Sequence, residues 1–522
     1  MFVPSKYQSA VFNWAITGKG NAVVSAVAGS GKSTVIIQTL KALVEYLAKE
    51  GKSVVLNAIV LAFNKKIQLE MDSKLKREGL TTVECSTVHA LCFGAYRNAN
   101  KGKRIVLENR KVRMILENNL SEEDFAMYSG AVTKLVSLAK DDGAGIFWPI
   151  SEASQWQRLM AHHEVELEEE ASMDRCIEIA QKALKVNNED SLTIDFSDMV
   201  YLTVLRGYTL PKYDWVIVDE CQDLSPLRQA VCKAISHEDT RHLDVGDRGQ
   251  AVYGFTGADA MALDNLIAAH NAVELPLSVC YRCSSSVIKH AQTWYPTIEA
   301  APNAETGSVT EMPYSDLAEK PESLNLSYRD AILCRTNAPL MRTAFSLIKK
   351  GIPCRIEGRD IAQGLLNVIG KWKVKTLDAL ENRLSDYLDR ETQKAQTKGN
   401  DALVGVIQDK VDCIRACMEK CYVEGKNRVD DLKSLIDSMF SNADDKTTRK
   451  DLLTLCSVHK SKGLEWERVF LLGRQDFMPS KWAKKDWMKV QENNLIYVAI
   501  TRAKRDLVEV QEVAAYLKGQ SK

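Results

Sequence analysis

The residues best suited to chemistry follow an apolar run at Asn21–Val27 and lead into an amphipathic stretch at Ser33–Lys49. They are Ala26-Val27-Ala28-Gly29-Ser30-Gly31-Lys32-Ser33-Thr34, a spacing that fits [AG]xxxxGK[ST]. Glycines at 29 and 31 let the backbone curl until successive N–H groups face one point, and a helix start just beyond adds the positive end of its dipole. Such a loop cradles a triphosphate. Ala28, Gly29, Ser30, Gly31, Lys32, Ser33 and Thr34 form the candidate cradle, with Lys32 reaching the β- and γ-phosphates of ATP and the Ser33 hydroxyl ligating Mg²⁺. Ala26 stands where the commonest form has glycine. The expected partner is a hydrophobic strand ending in carboxylate, and Trp215-Val216-Ile217-Val218-Asp219-Glu220 provides one. Asp219 would hold Mg²⁺ through water, and Glu220 would polarise the attacking water, which separates a hydrolase from a kinase. An Asp-Glu pair alone is common. Together with a P-loop it points to an ATPase.

The elements that must position these residues alternate. Asn21–Val27 reads as a buried strand, Ser33–Lys49 as a helix, Ser53–Phe63 as a strand and Lys65–Glu78 as a helix, the pattern of a parallel sheet with crossover helices. From about Phe93 to Leu184 the chain turns helical and charged; its acidic run Glu164–Glu170 reads as a solvated helix face. Strand signals return at Trp215–Val218 and His242–Val245. Pro276 and the residues after it open a second α/β region, with strands near Ala331–Cys334, Cys354–Ile356, Leu453–Ser457 and Arg468–Leu472, interrupted by a helical stretch from about Gly370 to Lys450. The expectation is an α/β protein with two P-loop-type parallel-sheet domains, each carrying a mainly helical insertion. The first domain takes residues 1–92 and 185–276 around an insertion at 93–184. The second takes 277–369 and 451–522 around a small insertion at 370–450.

Composition sets outer bounds. A length of 522 residues is enough for about three or four domains, and 45% hydrophobic with 26% charged residues is ordinary for a soluble globular chain. Acidic and basic residues balance at 69 each. Any nucleic-acid site must therefore be a local basic groove on a neutral body. The 13 cysteines lack framework spacing, which fits free thiols in a reducing compartment. Cys413, Cys417 and Cys421 recur at helical spacing and read as a buried small-residue seam rather than a metal site, no fourth ligand standing nearby. No apolar run approaches the roughly 18 residues of a membrane span. Met1-Phe2-Val3-Pro4-Ser5-Lys6 lacks the apolar core of a signal peptide, so a cytoplasmic, or at least intracellular, protein is expected.

Further motifs carry a family resemblance. Asp219-Glu220-Cys221-Gln222-Asp223 fits the DExQD box of superfamily 1 helicases, and the chain resembles the branch that includes the UvrD, Rep and PcrA helicases from residue 4 to about residue 510. Tyr7-Gln8 looks like the Q motif, which implies that Gln8 reads adenine. Val60-Leu61-Ala62-Phe63-Asn64-Lys65 resembles motif Ia and Ser86-Thr87-Val88-His89 motif Ib, implicating Phe63, Asn64, Thr87 and His89 in a single-strand groove. Asp195-Phe196-Ser197-Asp198 resembles the DFxD segment before motif II. Gly246-Asp247-Arg248-Gly249-Gln250-Ala251-Val252-Tyr253-Gly254-Phe255 resembles motif III, in which Gln250 would sense the γ-phosphate while Tyr253 and Phe255 face bases. Tyr281-Arg282 resembles motif IV, the tyrosine stacking on adenine and the arginine touching the γ-phosphate. Cys334-Arg335-Thr336-Asn337 is similar to the family's RTN segment and brings Thr336 and Asn337 into the groove set. In Ser457–Glu465, similar to motif V, His459 would contact DNA and Glu465 hold the ribose. Asn494–Ala503 is similar to motif VI, with Arg502 as second arginine finger. The resemblance implies two RecA-like domains with ATP and Mg²⁺ between them. It implies an ATP-dependent 3′-to-5′ single-stranded DNA translocase and helicase acting on single-stranded and tailed or forked duplex DNA. Replication or repair proteins, unidentified, are the partners it implies.

Three departures stand out. Thr256, in Phe255-Thr256-Gly257-Ala258, replaces an arginine usual in motif III. The second insertion is short beside that of the large bacterial repair helicases. Motif Ia reads AFNK, its aromatic shifted by one position. The wording is nearer the F-box DNA helicase branch, and a free-standing motor without an F-box is the expectation. Alternatives stay open. Phe63, Tyr253 and Phe255 also suit a core, and His89 and His459 suit satisfied structural histidines. At the level of function, a translocase that strips proteins with little unwinding, a quiet ATP-binding clamp and an RNA substrate remain.

Overall fold

Small and branched apolar residues alternating with period two build the first sheet. In the computed structural model, which describes all residues except 1–2, 164, 166, 169, 253–261, 398–400, 442–451 and 521–522, the chain divides into Met1–Val279 and Cys280–Lys522. Strands β1 (Ala22–Ala26), β2 (Ala58–Ala62), β3 (Glu84–Thr87), β4 (Tyr213–Asp219), β5 (Ser236–Gly246) and β6 (Val273–Leu277) form one sheet in the order β3-β2-β4-β5-β1-β6, and all their pairings are parallel. Successive side chains leave opposite faces. Ala22, Val24, Ala58, Val60, Ile217, Leu243 and Val245 face one way, onto α1 (Lys6–Thr17), α2 (Lys32–Lys49) and α3 (Lys65–Arg77). Val23, Ile59, Leu61, Val216 and Val218 face the other. That second face is covered by α4 (Val88–Ala99), α5 (Lys111–Asn119), α6 (Glu122–Asp142), α7 (Ala153–His162), α8 (Met173–Glu189), α9 (Asp198–Leu205), α10 (Pro226–Ala234) and α11 (Ala262–His270). Burial on both faces is what a parallel sheet requires.

The second unit repeats the plan. Strands β7 (Ser308–Pro313), β8 (Asp330–Cys334), β9 (Cys354–Glu357), β10 (Phe440–Ser441), β11 (Leu453–Ser457), β12 (Trp466–Leu472) and β13 (Ala503–Gln511) pair in parallel in the order β7-β13-β12-β8-β11-β9-β10. Its helices are α12 (Ser285–Ala291), α13 (Tyr314–Glu319), α14 (Asn337–Lys349), α15 (Arg359–Ile369), α16 (Leu377–Thr397), α17 (Asp401–Val423), α18 (Val429–Met439), α19 (Arg474–Phe477), α20 (Asp486–Ile500) and α21 (Val513–Gln520). Cys413, Cys417 and Cys421 are buried along α17 in the apolar core, the seam their spacing suggests.

The strand expected over Ser53–Phe63 is shorter, because pairing with β4 begins only at Ala58 and Val54 and Val55 are exposed. β3, β6, β7 and β13 had no clear sequence signal. β6 takes Pro276 into the first sheet, at the edge position where a missing N–H costs least. Glu164, Glu166 and Glu169 of the acidic run lie outside the described residues. Among the described residues no helix is long and apolar enough to cross a membrane.

Candidate active site and nucleic-acid interface

The cradle is built from chain direction. β1 delivers the backbone to Gly29 (φ 66°) and Gly31 (φ 81°), left-handed positions that glycine takes without strain. Gly31 is the N-cap of α2 and offers no side chain, so nothing of its own covers the N–H groups of the first turn. The Ser30 hydroxyl is buried and has no hydrogen-bond partner among the described residues. Ser33 is half-buried and Thr34 exposed in that turn. An orphaned hydroxyl and open helix-start donors fit a phosphate group. Gln8 lies alongside. Its side-chain oxygen accepts from Ser5 N in a capping box on α1, and its Nε2 stands 3.7 Å from where a Cβ on Gly31 would sit.

Asp219 ends β4, one strand from β2 and one from β5, and Glu220 follows in the left-handed region at φ 57°. A non-glycine residue there costs on the order of 1–2 kcal/mol and persists only where neighbours hold it. Two do so. Lys32 Nζ lies 2.8 Å from Glu220 Oε2, and Gln222 Nε2 donates to the same oxygen at 2.6 Å. Gln222 Oε1 in turn accepts from Asp247 N at 3.0 Å, Asp247 Oδ2 accepts from Gln250 Nε2 at 2.6 Å, and Asp247 Oδ1 accepts from Gly249 N at 2.9 Å. One polar chain therefore runs from the P-loop through the end of β4 to the end of β5. Gly246 permits it, since a Cβ there would come within 2.7 Å of Cys221 Sγ and 2.8 Å of Gln222 Oε1.

Charge in this array is unbalanced. Burial pulls the Lys32 ammonium down, but Glu220, Asp247 and Asp219 outweigh it and hold it above its ordinary range. Burial, then the Glu220 carboxylate, pushes Asp219 up to about 7. Burial likewise pushes Asp247 up to about 6, against the pull of Lys32. Three carboxylates facing one ammonium are a donor set that fits a divalent cation beside the Ser33 hydroxyl. Gln222 and Asp247 fall within the DExQD and motif III segments, but the sequence alone assigns neither a role. The DExQD wording was the available signal for the first; the second shows only when β4 and β5 lie side by side.

A shallow depression on the same unit is lined by Leu61, Ala62, Phe63, Val88, His89, Val218, Asp219, Glu220, Leu224 and Arg228. It brings Phe63, 38% exposed, together with His89 beside Asp219 and Glu220. The His89 ring stacks on Phe196 at 4.1 Å, and burial, then Arg228, lowers its pKa to about 4. Asn64 and Thr87 are helix caps: Asn64 Oδ1 accepts from Ile67 N at 2.9 Å at the start of α3, and Thr87 Oγ1 from Ala90 N at 3.1 Å at the start of α4. Tyr253, Phe255 and Thr256 lie outside the described residues.

The second unit gathers the other motif residues. Tyr281 is 47% exposed, and Arg282 Nε lies 2.6 Å from Glu465 Oε2. Arg282 Nη1 is buried without a hydrogen-bond partner among the described residues. Arg502 is buried, donating from Nε to Val498 O at 3.0 Å and from Nη1 to Leu464 O at 3.1 Å, next to Glu465. Motifs IV, V and VI thus converge. Thr336 and Asn337 form the start of α14, where the Asp409 carboxylate from α17 accepts from Asn337 N, Asn337 Nδ2 and Ala338 N. Neighbouring Arg335 makes a two-point pair with Glu492 of α20. His459 is half-buried, and burial, then Arg335 and Lys460, lowers its pKa to about 3.

A P-loop beside a strand-terminal Asp-Glu on one parallel sheet, followed by a second parallel sheet bearing paired arginines, defines a protein with two RecA-like domains. A family model described as the UvrD/REP helicase N-terminal domain matches residues 8–271, and one described as the UvrD-like helicase C-terminal domain matches residues 371–510. The first match alone takes in more than half of the chain, which belongs to the UvrD/REP helicase family. Relatives include F-box DNA helicase protein 1 of Schizosaccharomyces pombe, 26% identical over 93% of this chain and 55% of that protein. A probable DNA helicase II homolog of Mycoplasma pneumoniae is 24% identical over 94% of this chain and 82% of its own length. The ATP-dependent DNA helicase PcrA of Staphylococcus epidermidis is 21% identical over 97% and 83%. The chain thus spans little more than half the length of the first of these.

Proposed function

We propose that this chain is an ATP-dependent DNA helicase that translocates 3′ to 5′ on single-stranded DNA. The observation that carries the reading is the continuous polar chain Lys32–Glu220–Gln222–Asp247–Gln250, which links the P-loop to the segment that follows β5. A phosphate-sensing site wired to a loop that reads bases is what a DNA-coupled ATPase needs. Relatives named as DNA helicases support the substrate.

On this reading residues 1–92 and 185–276 form the first RecA-like domain and 277–369 with 451–522 the second, with insertions at 93–184 and 370–450. Ala28 to Thr34 hold the triphosphate, Gln8 and Tyr281 the adenine, and Glu465 the ribose. Ser33 and Asp219 hold Mg²⁺, which when bound neutralises charge on the β- and γ-oxygens. Glu220 orients and deprotonates the attacking water. Gln250 reports on the γ-phosphate. Arg282 and Arg502, carried by the other unit, stabilise charge that builds on the transferred group. Phe63, Tyr253 and Phe255 stack bases, while Asn64, Thr87, His89, Thr336, Asn337 and His459 line the strand path. Stacking is sequence-tolerant, since every base has a π-face.

The test is a duplex carrying either a 3′ or a 5′ single-stranded tail. ATP-dependent opening of only the 3′-tailed substrate, abolished in Lys32→Ala, is expected. If neither opens while single-stranded DNA still stimulates hydrolysis, unwinding is withdrawn and a protein-stripping translocase takes its place.

A further inference from the structure

On β5, Leu243 and Val245 join the apolar face toward α1–α3, so His242 and Asp244 must point to the opposite face. Their cross-strand neighbours are apolar: His242 is in register with Val216, and Asp244 with Val218 and Val23. His242 is 5% exposed and Asp244 is fully buried. An imidazole and a carboxylate set into an apolar face of an inner strand are costly unless something pairs with them. The last residue of α11, His270, brings a second imidazole. Its Nδ1 lies 3.0 Å from Asp244 Oδ2, and its ring centre 4.3 Å from that of His242. Ligand atoms of the three residues all lie within 4.8 Å of one another.

The proton inventory shows what is missing. The Ser236 hydroxyl has one proton and donates it to Cys232 O at 2.7 Å. Its contact with His242 Nε2 at 2.8 Å must then be a bond donated by the imidazole. His242 is then the Nε2–H tautomer, and its buried Nδ1 is a bare lone pair with no hydrogen-bond partner among the described residues; the same holds for the buried Asp244 Oδ1. The cluster therefore holds two bare acceptors, each costly if left unpaired. Asn21 fixes the backbone on both sides, accepting from His242 N at 2.9 Å and donating to His270 O at 2.9 Å. The acceptors are held in place by bonds that do not use them.

We infer that His242, Asp244 and His270 form a binding site for a divalent transition-metal ion of the zinc class, which pins α11 to β5. Two imidazoles with one carboxylate suit Zn²⁺ and its neighbours, whereas Mg²⁺ and Ca²⁺ prefer oxygen alone. His242 binds through Nδ1, with Ser236 orienting the ring from behind. His270 binds through Nδ1, its proton moving to Nε2, and Asp244 supplies one oxygen. The His270 side chain is 14% exposed, which leaves an entry path and room for a water as fourth ligand. The ion would anchor the helix that follows segment 253–261 to the strand that carries Asp247.

The chain purified without a metal-affinity step is stripped with chelator and titrated with Zn²⁺ and, separately, Co²⁺. One equivalent is expected to bind, with a Co²⁺ spectrum of nitrogen and oxygen ligation and a melting temperature that rises with Zn²⁺ and falls with chelator. His270→Gln, at the open end of the site, should weaken Zn²⁺ binding by about 100-fold. Absence of stoichiometric binding to the wild-type chain overturns the proposal. So does a thiolate charge-transfer band with Co²⁺, which would place the ion on the cysteines. Unchanged binding in His270→Gln does the same. If that variant does not fold, the wild-type cobalt spectrum decides alone.

Discussion

At the scale of single residues, Glu220 concentrates the chemistry. It sits in a backbone region its side chain disfavours, where Lys32 Nζ and Gln222 Nε2 both meet its Oε2. Replacing the carboxylate but not the shape, Glu220→Gln, should leave ATP binding within a few-fold and lower hydrolysis by about 10²–10⁴-fold. Phosphate release with saturating single-stranded DNA measures it, and near-normal turnover would remove Glu220 as the base. Gln222 makes a different prediction because it touches both Glu220 and the Asp247 amide. Gln222→Leu should leave basal hydrolysis within about tenfold but abolish its stimulation by DNA, since one bridging amide joins the two motifs. Full stimulation in that variant would show that the signal travels elsewhere.

Elements reach these positions through contacts that the sequence conceals. The DFxD segment is an example: Asp198, on α9, accepts from Lys111 Nζ at 3.0 Å and pairs with Lys140 at 2.7 Å, and Asp195 pairs with Lys140 at 2.6 Å. Lys140 is completely buried, so Lys140→Met leaves Asp195 without its cation and Asp198 with Lys111 alone, and should cost about 3–5 kcal/mol in denaturant unfolding. A second network fixes the end of β13. Burial raises Glu509, but hydrogen bonds from His290 and Arg474 overcome it and bring the carboxyl from 4.5 to about 2. A depressed carboxylate stabilises the fold above its unfolded value and loses that contribution as pH falls through the folded one. About 2.5 units correspond to on the order of 3 kcal/mol, lost between about pH 4.5 and pH 2, and Glu509→Gln should flatten that stretch of the acid stability curve. The P-loop, the strand-terminal Asp-Glu and the central strands were legible because residue type and spacing alone dictate them. β3 and β6 were not, one being polar and short and the other holding a proline. Nor was the Asp409 cap on α14, whose partners lie in distant segments and meet only after packing. The stacking of Phe196 on His89 was hidden for the same reason.

At the scale of the whole molecule the decisive fact is a division of labour. Lys32, Asp219, Glu220 and Gln250 belong to the unit ending at Val279, while Arg282, Glu465 and Arg502 belong to the unit beginning at Cys280. Within its own unit Arg282 already has a carboxylate, Glu465, on Nε, and keeps Nη1 buried and unpartnered. A buried guanidinium nitrogen without an acceptor costs free energy that an anion would recover. On the function proposed above that anion is the γ-phosphoryl of the nucleotide, and Arg282 then contributes to the transition state and little to ground-state binding. Arg282→Ala should then change nucleotide affinity by less than about tenfold while lowering DNA-stimulated hydrolysis by about 10³–10⁵-fold, the range known for arginine fingers. Fluorescent nucleotide binding and phosphate release, measured on the same preparation, separate the two. A loss of affinity as large as the loss of turnover would mean that Arg282 holds nucleotide in the ground state.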